Sequence, residues 1–211
     1  MGKYLIIPNS DFSNVAVRTV DIGNVTITVN VSNTGGGEVS GGGNYEAGSH
    51  IIITATPSAG YKFLRWNDGN TNAQREIIVG QVSATYSAEF ALDLDSEWSN
   101  GFYDATTGEF IDETHGPGEQ RQYVPKFCCT IKHNVPTDKT SVIVSCSDSF
   151  LFAIRLWDSN DNYLGIASWG TENTYSIENG YKIAIVVSKK PLADIIPSEV
   201  VANANVVVKY G

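Results

Sequence analysis

Apolar and polar residues alternate with a period of two along most of this chain. The clearest run, residues 25–32, alternates without a break, which is the pattern of a half-buried β-strand. No stretch of helical length shows helical periodicity, and the best helical candidate is a turn or two after Pro197. The other predicted strands are 51–56, 76–79, 84–90, 123–132, 141–146, 150–157, 181–188 and 205–210. The last three are the most continuously apolar, so we expect them to be central strands of a two-layer core.

Turn-rich segments between these runs indicate an all-β chain of two small domains. Aromatic segments flank residues 104–108, which predicts a hairpin, and an Asp/Asn-rich turn inside 152–165 predicts a second one. Composition changes near residues 91–96, where the density of acidic residues rises. We therefore divide the chain into an N-terminal arm (1–22), a first module (23–92), a linker (93–97) and a second module (98–211).

The net charge and the lengths of the apolar runs exclude some classes of partner and location. The 211 residues include 23 acidic and 14 basic side chains, a net charge of −9, so we expect no nucleic-acid partner. No apolar run approaches the roughly 18 residues of a transmembrane helix, and we expect no membrane insertion. The apolar run at the start is too short for a secretory signal, so we expect assembly in a reducing cytoplasm.

The three cysteines predict free thiols. Cys128 and Cys129 are adjacent, and neighbouring side chains of a strand face opposite sides, so they are poorly placed to bond each other. Cys146 could meet one of them, but the odd total argues against a disulfide framework. The three histidines, His50, His115 and His133, lack the spacing of a zinc site, and we expect neither a metal nor a cofactor.

Residues 33–90 carry the most specific pattern in the chain. Its glycine clusters permit tight turns but lack the spacing of a phosphate-binding loop. The phrases are Gly37-x-Val39, Ala55-Thr56-Pro57, Gly60-Tyr61-x-Phe63-x-x-Trp66-x-x-Gly69 and Tyr86-x-Ala88-x-Phe90. Together they closely resemble the divergent internalin B-type repeat. The resemblance implies a small β-grasp-like spacer or adhesion module of bacterial surface and phage proteins, with no catalytic residues. Trp66 could offer a sugar platform, but a core position is favoured.

Three phrases stand out in the second module: a Gly-Phe-Tyr-x-x-x-x-Gly opening at 101–108, an Ile-Arg-Leu-Trp-Asp strand at 154–158 and an Ile-x-Pro ending at 195–197. Together they resemble the antiparallel, jelly-roll-like β-sandwich of phage head and tail fibres. The chain starts with Lys3-Tyr4-Leu5-Ile6-x-x-x-x-Asp11-Phe12-Ser13, which is similar to the virion-attachment start of fibre-type proteins of gut bacteriophages. This resemblance implies contacts with other virion proteins through Tyr4, Leu5, Ile6, Ile7 and Phe12. A fraying terminus is the alternative for this arm.

The candidate catalytic residues lack the arrangement that catalysis needs, and we expect this chain not to be an enzyme. The acids between residues 93 and 113 lie mostly in predicted turns, where solvated carboxylates are the default. His115 lies in a Gly/Pro loop without a nucleophile elbow, and His133 is expected to be a surface residue at a strand edge. Residues 158–162 invite comparison with a calcium loop, but Tyr163 and Trp169 stand at positions that need Gly and Glu, so a plain turn is favoured.

The favoured function is a non-enzymatic virion component, a head or tail fibre or decoration protein that acts in attachment and forms a homotrimer. The alternative is a carbohydrate-binding module for host surface glycans, in which aromatic rings stack on sugars beside polar groups. Trp157 and Trp169 could instead pack in the sandwich core. A bacterial surface adhesin would need an export signal. The candidate glycan-binding residues are Tyr103, Arg155, Trp157, Asp158, Asn160, Tyr163 and Trp169.

Overall fold

A computed structural model describes residues 3–6, 17–20, 23–32, 36–103, 107–111, 127–193 and 195–211. The chain forms two compact units. The first comprises Met1–Ser32, Gly37–Thr56 and Phe63–Glu89, and the second comprises Asn33–Gly36, Pro57–Lys62 and Phe90–Gly211. The predicted boundaries of the arm, modules and linker stay predictions. Among the described residues, no helix has the length and apolar character needed to cross a bilayer.

The described elements are nearly all strands, which confirms the predicted all-β class. In chain order the strands are β1 (Lys3–Ile6), β2 (Val17–Val20), β3 (Val25–Val31), β4 (Gly37–Ser40), β5 (Gly43–Tyr45), β6 (His50–Pro57), β7 (Tyr61–Trp66), β8 (Gln74–Ile78), β9 (Ala84–Leu92), β10 (Ser99–Asn100), β11 (Phe102–Tyr103), β12 (Phe110–Ile111), β13 (Cys128–Cys129), β14 (His133–Asn134), β15 (Ser141–Ser145), β16 (Phe150–Trp157), β17 (Tyr163–Gly170), β18 (Glu172–Ser176), β19 (Lys182–Lys189) and β20 (Val207–Tyr210). A helical turn, Pro197–Glu199, continues as a π-helical turn, Val200–Ala204, where the sequence predicts a short helix.

Strands β3 to β9 form two sheets. One has the order β5-β3-β9-β7, with β3 parallel to β9 and antiparallel to β5, and the other has the order β4-β6-β8. Alternation along the strands explains which side chains point inward, since Val25 and Ile27 of β3 and Ile53 of β6 are buried while their neighbours are exposed or half-buried. Trp66 at the end of β7 is fully buried, which confirms its predicted core position.

The start of the chain contains a strand pair that alternation did not predict. Strands β1 and β2 pair antiparallel, with Lys3 opposite Val20 and Ile6 opposite Val17. Tyr4, Leu5 and Ile6 lie on β1, whereas Ile7 and Phe12 lie outside the described residues. Neither Lys-Tyr-Leu-Ile nor Val-Arg-Thr-Val alternates between apolar and polar residues, so the period of two is missing from both strands.

Two sheets and one core make up most of the second unit. The larger sheet has the order β10-β13-β19-β16-β17, with β14 also paired to β19, and the smaller sheet has the order β18-β15-β20. Phe152 and Ile154 of β16 join Val142 and Val144 of β15 and Val208 of β20 in one buried cluster. Two layers that share one core are the arrangement expected of a β-sandwich.

The expectation of three central strands holds for β16 and β19 but is wrong for β20. Strands β16 and β19 lie inside the larger sheet and are buried on both faces, which explains their continuously apolar sequences. In the described part of the chain, β20 is an outer strand of the smaller sheet. Its residues alternate between buried and half-buried positions because only one of its faces is covered.

A second apolar cluster covers the other face of the larger sheet. It contains Tyr103, Cys129, Trp157, Ala184 and Val186. Cys128 belongs instead to the core between the two sheets, so the adjacent cysteines face opposite sides of β13. All three cysteines are thiols outside any disulfide, as predicted.

Candidate functional site

The structure separates the two tryptophans of the predicted glycan site. Both lie on the β16–β17 hairpin, where Trp157 is opposite Tyr163 at the turn and Gly170, next to Trp169, is opposite Phe152 at the other end. Trp157 is 1% exposed, with its ring centroid 5.0 Å from that of Tyr103 and 5.4 Å from that of Tyr163. The Lys132 ammonium lies 4.3 Å from the Trp157 ring centroid. Trp157 is therefore a packing residue.

Arg155 lies on the same face of the sheet and is also enclosed. It is 4% exposed, and its Nε donates a hydrogen bond of 2.9 Å to the backbone oxygen of Tyr103. Tyr103 itself is 8% exposed, and its burial raises the pKa of its hydroxyl to about 12. Both side chains hold β11 against the larger sheet, which leaves them poorly placed to meet a ligand from solvent.

The polar residues of the hairpin turn bind one another. Asp158 Oδ1 accepts the backbone N–H groups of Asn160 and Asn162 at 2.8 Å each, and Oδ2 accepts the side-chain amide of Asn162 at 2.8 Å. The Asn162 bond is the main cause of a lowered pKa at Asp158. Asp161, next along the turn, pairs with Lys182 at 2.5 Å and with Lys132 at 3.7 Å. This is the hydrogen bonding of the plain turn that the sequence favours.

Trp169, at the far end of the hairpin, borders a groove. Its side chain is 40% exposed, and its ring centroid is 5.7 Å from that of Phe127 at an interplanar angle of 36°. The groove has a volume of about 380 Å³. Its apolar walls come from several elements of the second unit: Phe127 before β13, Leu151 on β16, Trp169 on β17, and Pro191 and Leu192 after β19.

Among the described residues, two lysines are the charged side chains that line this groove. Lys189 Nζ lies 2.7 Å from Glu199 Oε1, so a carboxylate already compensates its charge. Lys190 is exposed, and none of the carboxylates in the described part of the chain lies within ion-pair distance of its ammonium. Its backbone N–H donates to the Ser149 carbonyl at 2.8 Å, which fixes the main chain beside the groove. The groove therefore combines an exposed aromatic ring with one positive charge.

A second polar cluster lies elsewhere in the second unit. Glu97 Oε2 is 2.7 Å from His133 Nε2, and the two side chains are only 23% and 14% exposed. The expectations of a solvated acid and a surface histidine are therefore wrong for this pair. Pairing of β14 with β19 places His133 opposite Ile183. Burial raises the pKa of the nearby Tyr210 hydroxyl, with smaller contributions from Tyr61 and Glu97. His115 lies outside the described residues.

Sequence reasoning found Trp169 but missed the rest of the groove. Phe127, Lys190 and Leu192 are far apart in sequence or lie in segments assigned to no motif. The sequence held one signal for this groove. Lys189-Lys190-Pro191-Leu192 follows a buried strand and places two cations beside an apolar turn. Of the other predicted glycan-binding residues, Tyr103, Arg155, Trp157 and Tyr163 lie around the buried cluster, and Asp158 and Asn160 lie in the turn.

Comparison with known proteins addresses the first of the two modules. No curated protein and no solved structure matches the chain. The fibre-type resemblance of the second module therefore stays a prediction. Residues 27–93 match the family described as the divergent InlB B-repeat domain, which confirms the resemblance predicted over residues 33–90.

Proposed function

We propose that this chain is a non-enzymatic surface-binding component of a bacteriophage particle, a head or tail fibre or decoration protein. The observation that carries the proposal is the Trp169 ring, 40% exposed beside the groove of the second unit. The other tryptophans of that unit, Trp98 and Trp157, are 8% and 1% exposed. A large exposed aromatic ring beside a concave surface is the feature expected of a binding protein.

The first module supports this proposal as a spacer. Residues 27–93 match a repeat family related to surface and adhesion proteins. The arm would attach the chain to other virion proteins through Tyr4, Leu5, Ile6, Ile7 and Phe12, and three copies would form a homotrimer. A net charge of −9 favours a soluble external structure and disfavours a nucleic-acid partner.

Purified virus particles test the assignment. An antibody raised against this chain is expected to label one repeated position on the particle in cryo-microscopy, and mass spectrometry should find the chain at fixed stoichiometry. A chain that is expressed during infection but missing from washed particles contradicts the proposal. Light scattering should give the mass of three copies, and a monomer at micromolar concentration contradicts the trimer.

A second candidate is the carbohydrate-binding module. The Trp169 ring favours it, because an exposed ring backed by Phe127 offers a rigid face on which a pyranose can stack. A glycan array probed with the wild-type chain and Trp169→Ala tests this function. Leu164→Ala is the matched control, since Leu164 is 50% exposed on the same strand but does not line the groove. Binding that only Trp169→Ala abolishes supports the module, and blank arrays for all three proteins contradict it.

A further inference from the structure

We infer that the Trp169 groove binds an acidic glycan, a saccharide that carries a carboxylate. Its sugar ring stacks on Trp169, and its carboxylate pairs with Lys190. The inference rests on the carbohydrate-binding function proposed above and specifies its ligand. The inference specifies that the bound sugar is charged. It also names a second binding residue, Lys190, which is not among the candidate glycan-binding residues predicted from the sequence.

Contacts between residues of the chain form the apolar part of the site. Phe127 packs against the Trp169 ring at 5.7 Å and supports it from one side. Leu151, Pro191 and Leu192 complete the apolar walls. Volumes of small-molecule sites begin at about 300 Å³, so a groove of this size suits a short saccharide. The C–H face of a pyranose ring is apolar and flat, which matches a supported indole.

The lysines beside the groove favour a ligand with a negative charge. Lys189 and Lys190 line the groove, and of the described residues no acid joins them there. Glu199 compensates the charge of Lys189. No carboxylate of the described residues lies within ion-pair distance of Lys190, which keeps its positive charge. This positive charge lies on a chain whose net charge is −9, so the rest of the surface repels an acidic ligand. A carboxylated sugar is therefore favoured at this groove and disfavoured over most of the remaining surface.

The test compares two sugars that differ in one group. Methyl β-D-glucuronide carries a carboxylate where methyl β-D-glucoside carries a hydroxymethyl group. We expect the full chain to bind the glucuronide about two- to fivefold more tightly, the affinity ratio that an exposed ion pair supplies. Titration followed by NMR measures both dissociation constants, and the preference should shrink at high salt because the ion pair is screened.

Variants then assign the two contacts. Lys190→Gln should bind both sugars with the affinity that wild type shows for the neutral one, and Trp169→Ala should bind neither. Lys209→Gln, a change on β20 in the other sheet, is the matched charge control and should keep the preference. Thermal denaturation confirms that each variant is folded before it is titrated.

The outcomes separate this inference from the function on which it rests. Equal affinity for the two sugars, with binding abolished by Trp169→Ala, overturns the acidic preference and leaves the carbohydrate-binding module standing. A glucuronide preference that Lys190→Gln leaves intact also overturns the inference, because the charge would then be recognised elsewhere. Binding of neither sugar here, together with blank glycan arrays, overturns both the inference and the module.

Discussion

Trp157 and Trp169 lie at opposite ends of one hairpin, the first 1% exposed and the second 40% exposed. The difference follows from what covers each ring. Tyr103 and Tyr163 pack against Trp157, and Lys132 lies over its face. Trp169 has Phe127 on one side and the open groove beside it. The same residue type therefore stabilises the fold at one end of the hairpin and is available for binding at the other.

This contrast predicts opposite effects of two alanine substitutions. Trp157→Ala should lower the free energy of unfolding by about 3–5 kcal/mol, because it leaves a large cavity in a packed cluster. Trp169→Ala should cost about 1 kcal/mol or less, as expected of a partly exposed residue. Urea denaturation followed by circular dichroism measures both values. Equal losses for the two variants would show that Trp169 is a packing residue as well.

Trp66 is expected to dominate the stability of the first unit. It is fully buried, and its Nε1 donates to the Asn72 carbonyl at 2.9 Å. Trp66→Ala should cost about 3–5 kcal/mol. Hydrogen exchange with mass spectrometry should show faster exchange in peptides from residues 37–56, while Trp66→Phe, which keeps most of the apolar volume, should show a smaller effect. Unchanged exchange in Trp66→Ala would refute the role of this side chain.

The Asp68–Arg75 pair predicts a pH-dependent contribution to stability. Arg75 Nη2 lies 2.7 Å from Asp68 Oδ2, and this bond lowers the pKa of Asp68 below its ordinary value of 3.8. A lowered pKa gives stability that is present above about pH 4 and is lost as the pH falls through the folded-state pKa. Asp68→Asn should therefore cost at most about 1 kcal/mol at neutral pH, because solvent screens this half-exposed group.

Denaturant titrations of the wild type and Asp68→Asn at neutral and acidic pH measure that difference. It should shrink towards zero at the acidic end. A difference that stays constant with pH would mean that the carboxylate charge makes no contribution. Asp148→Asn is a control, because no described ion pair involves Asp148.

Gly41 and Gly69 both have a positive φ, but only Gly41 is closely packed, so alanine substitutions separate the two costs. Gly41 has a φ of +95°, and a Cβ there would lie 2.2 Å from the Ile52 carbonyl oxygen. Gly69 has a φ of +84° with open space around it. Gly69→Ala should cost about 1–2 kcal/mol for the backbone conformation alone. Gly41→Ala should add about 1–3 kcal/mol for the steric conflict. Thermal melting of both variants measures the gap, and similar melting temperatures would contradict it.

The three thiols should differ in reactivity. Cys128 and Cys129 are buried, whereas Cys146 is half-buried and its burial raises its pKa to about 11. At neutral pH, Ellman's reagent should modify one thiol slowly and the other two only after denaturation. The slow reaction should accelerate as the pH rises towards 11, because the thiolate is the reactive form. Cys146→Ser should remove it, and fast modification of two thiols in the native chain would contradict this assignment.

Strands with a strong local pattern could be predicted from the sequence, and strands without one could not. The alternation of residues 25–32 predicted β3, and the apolar run at 150–157 predicted β16. The hairpin predicted at 152–165 reached only the first residues of β17, because Gly165, Ser168 and Gly170 interrupt the apolar pattern of this strand. The Glu97–His133 pair was missed because its members are close only after β10 pairs with β13, and β13 and β14 both pair with β19.

The order of residues alone determined the all-β class, the repeat pattern of residues 33–90 and the lack of a disulfide between the adjacent cysteines, because these depend on local periodicity, spacing and composition. Only the tertiary structure decided which tryptophan is exposed and which charges line the groove. Phe127, Trp169 and Lys190 come from three separate segments that meet only in the folded unit. The exposure of a ring depends on what packs over it, and distant parts of the chain supply that cover.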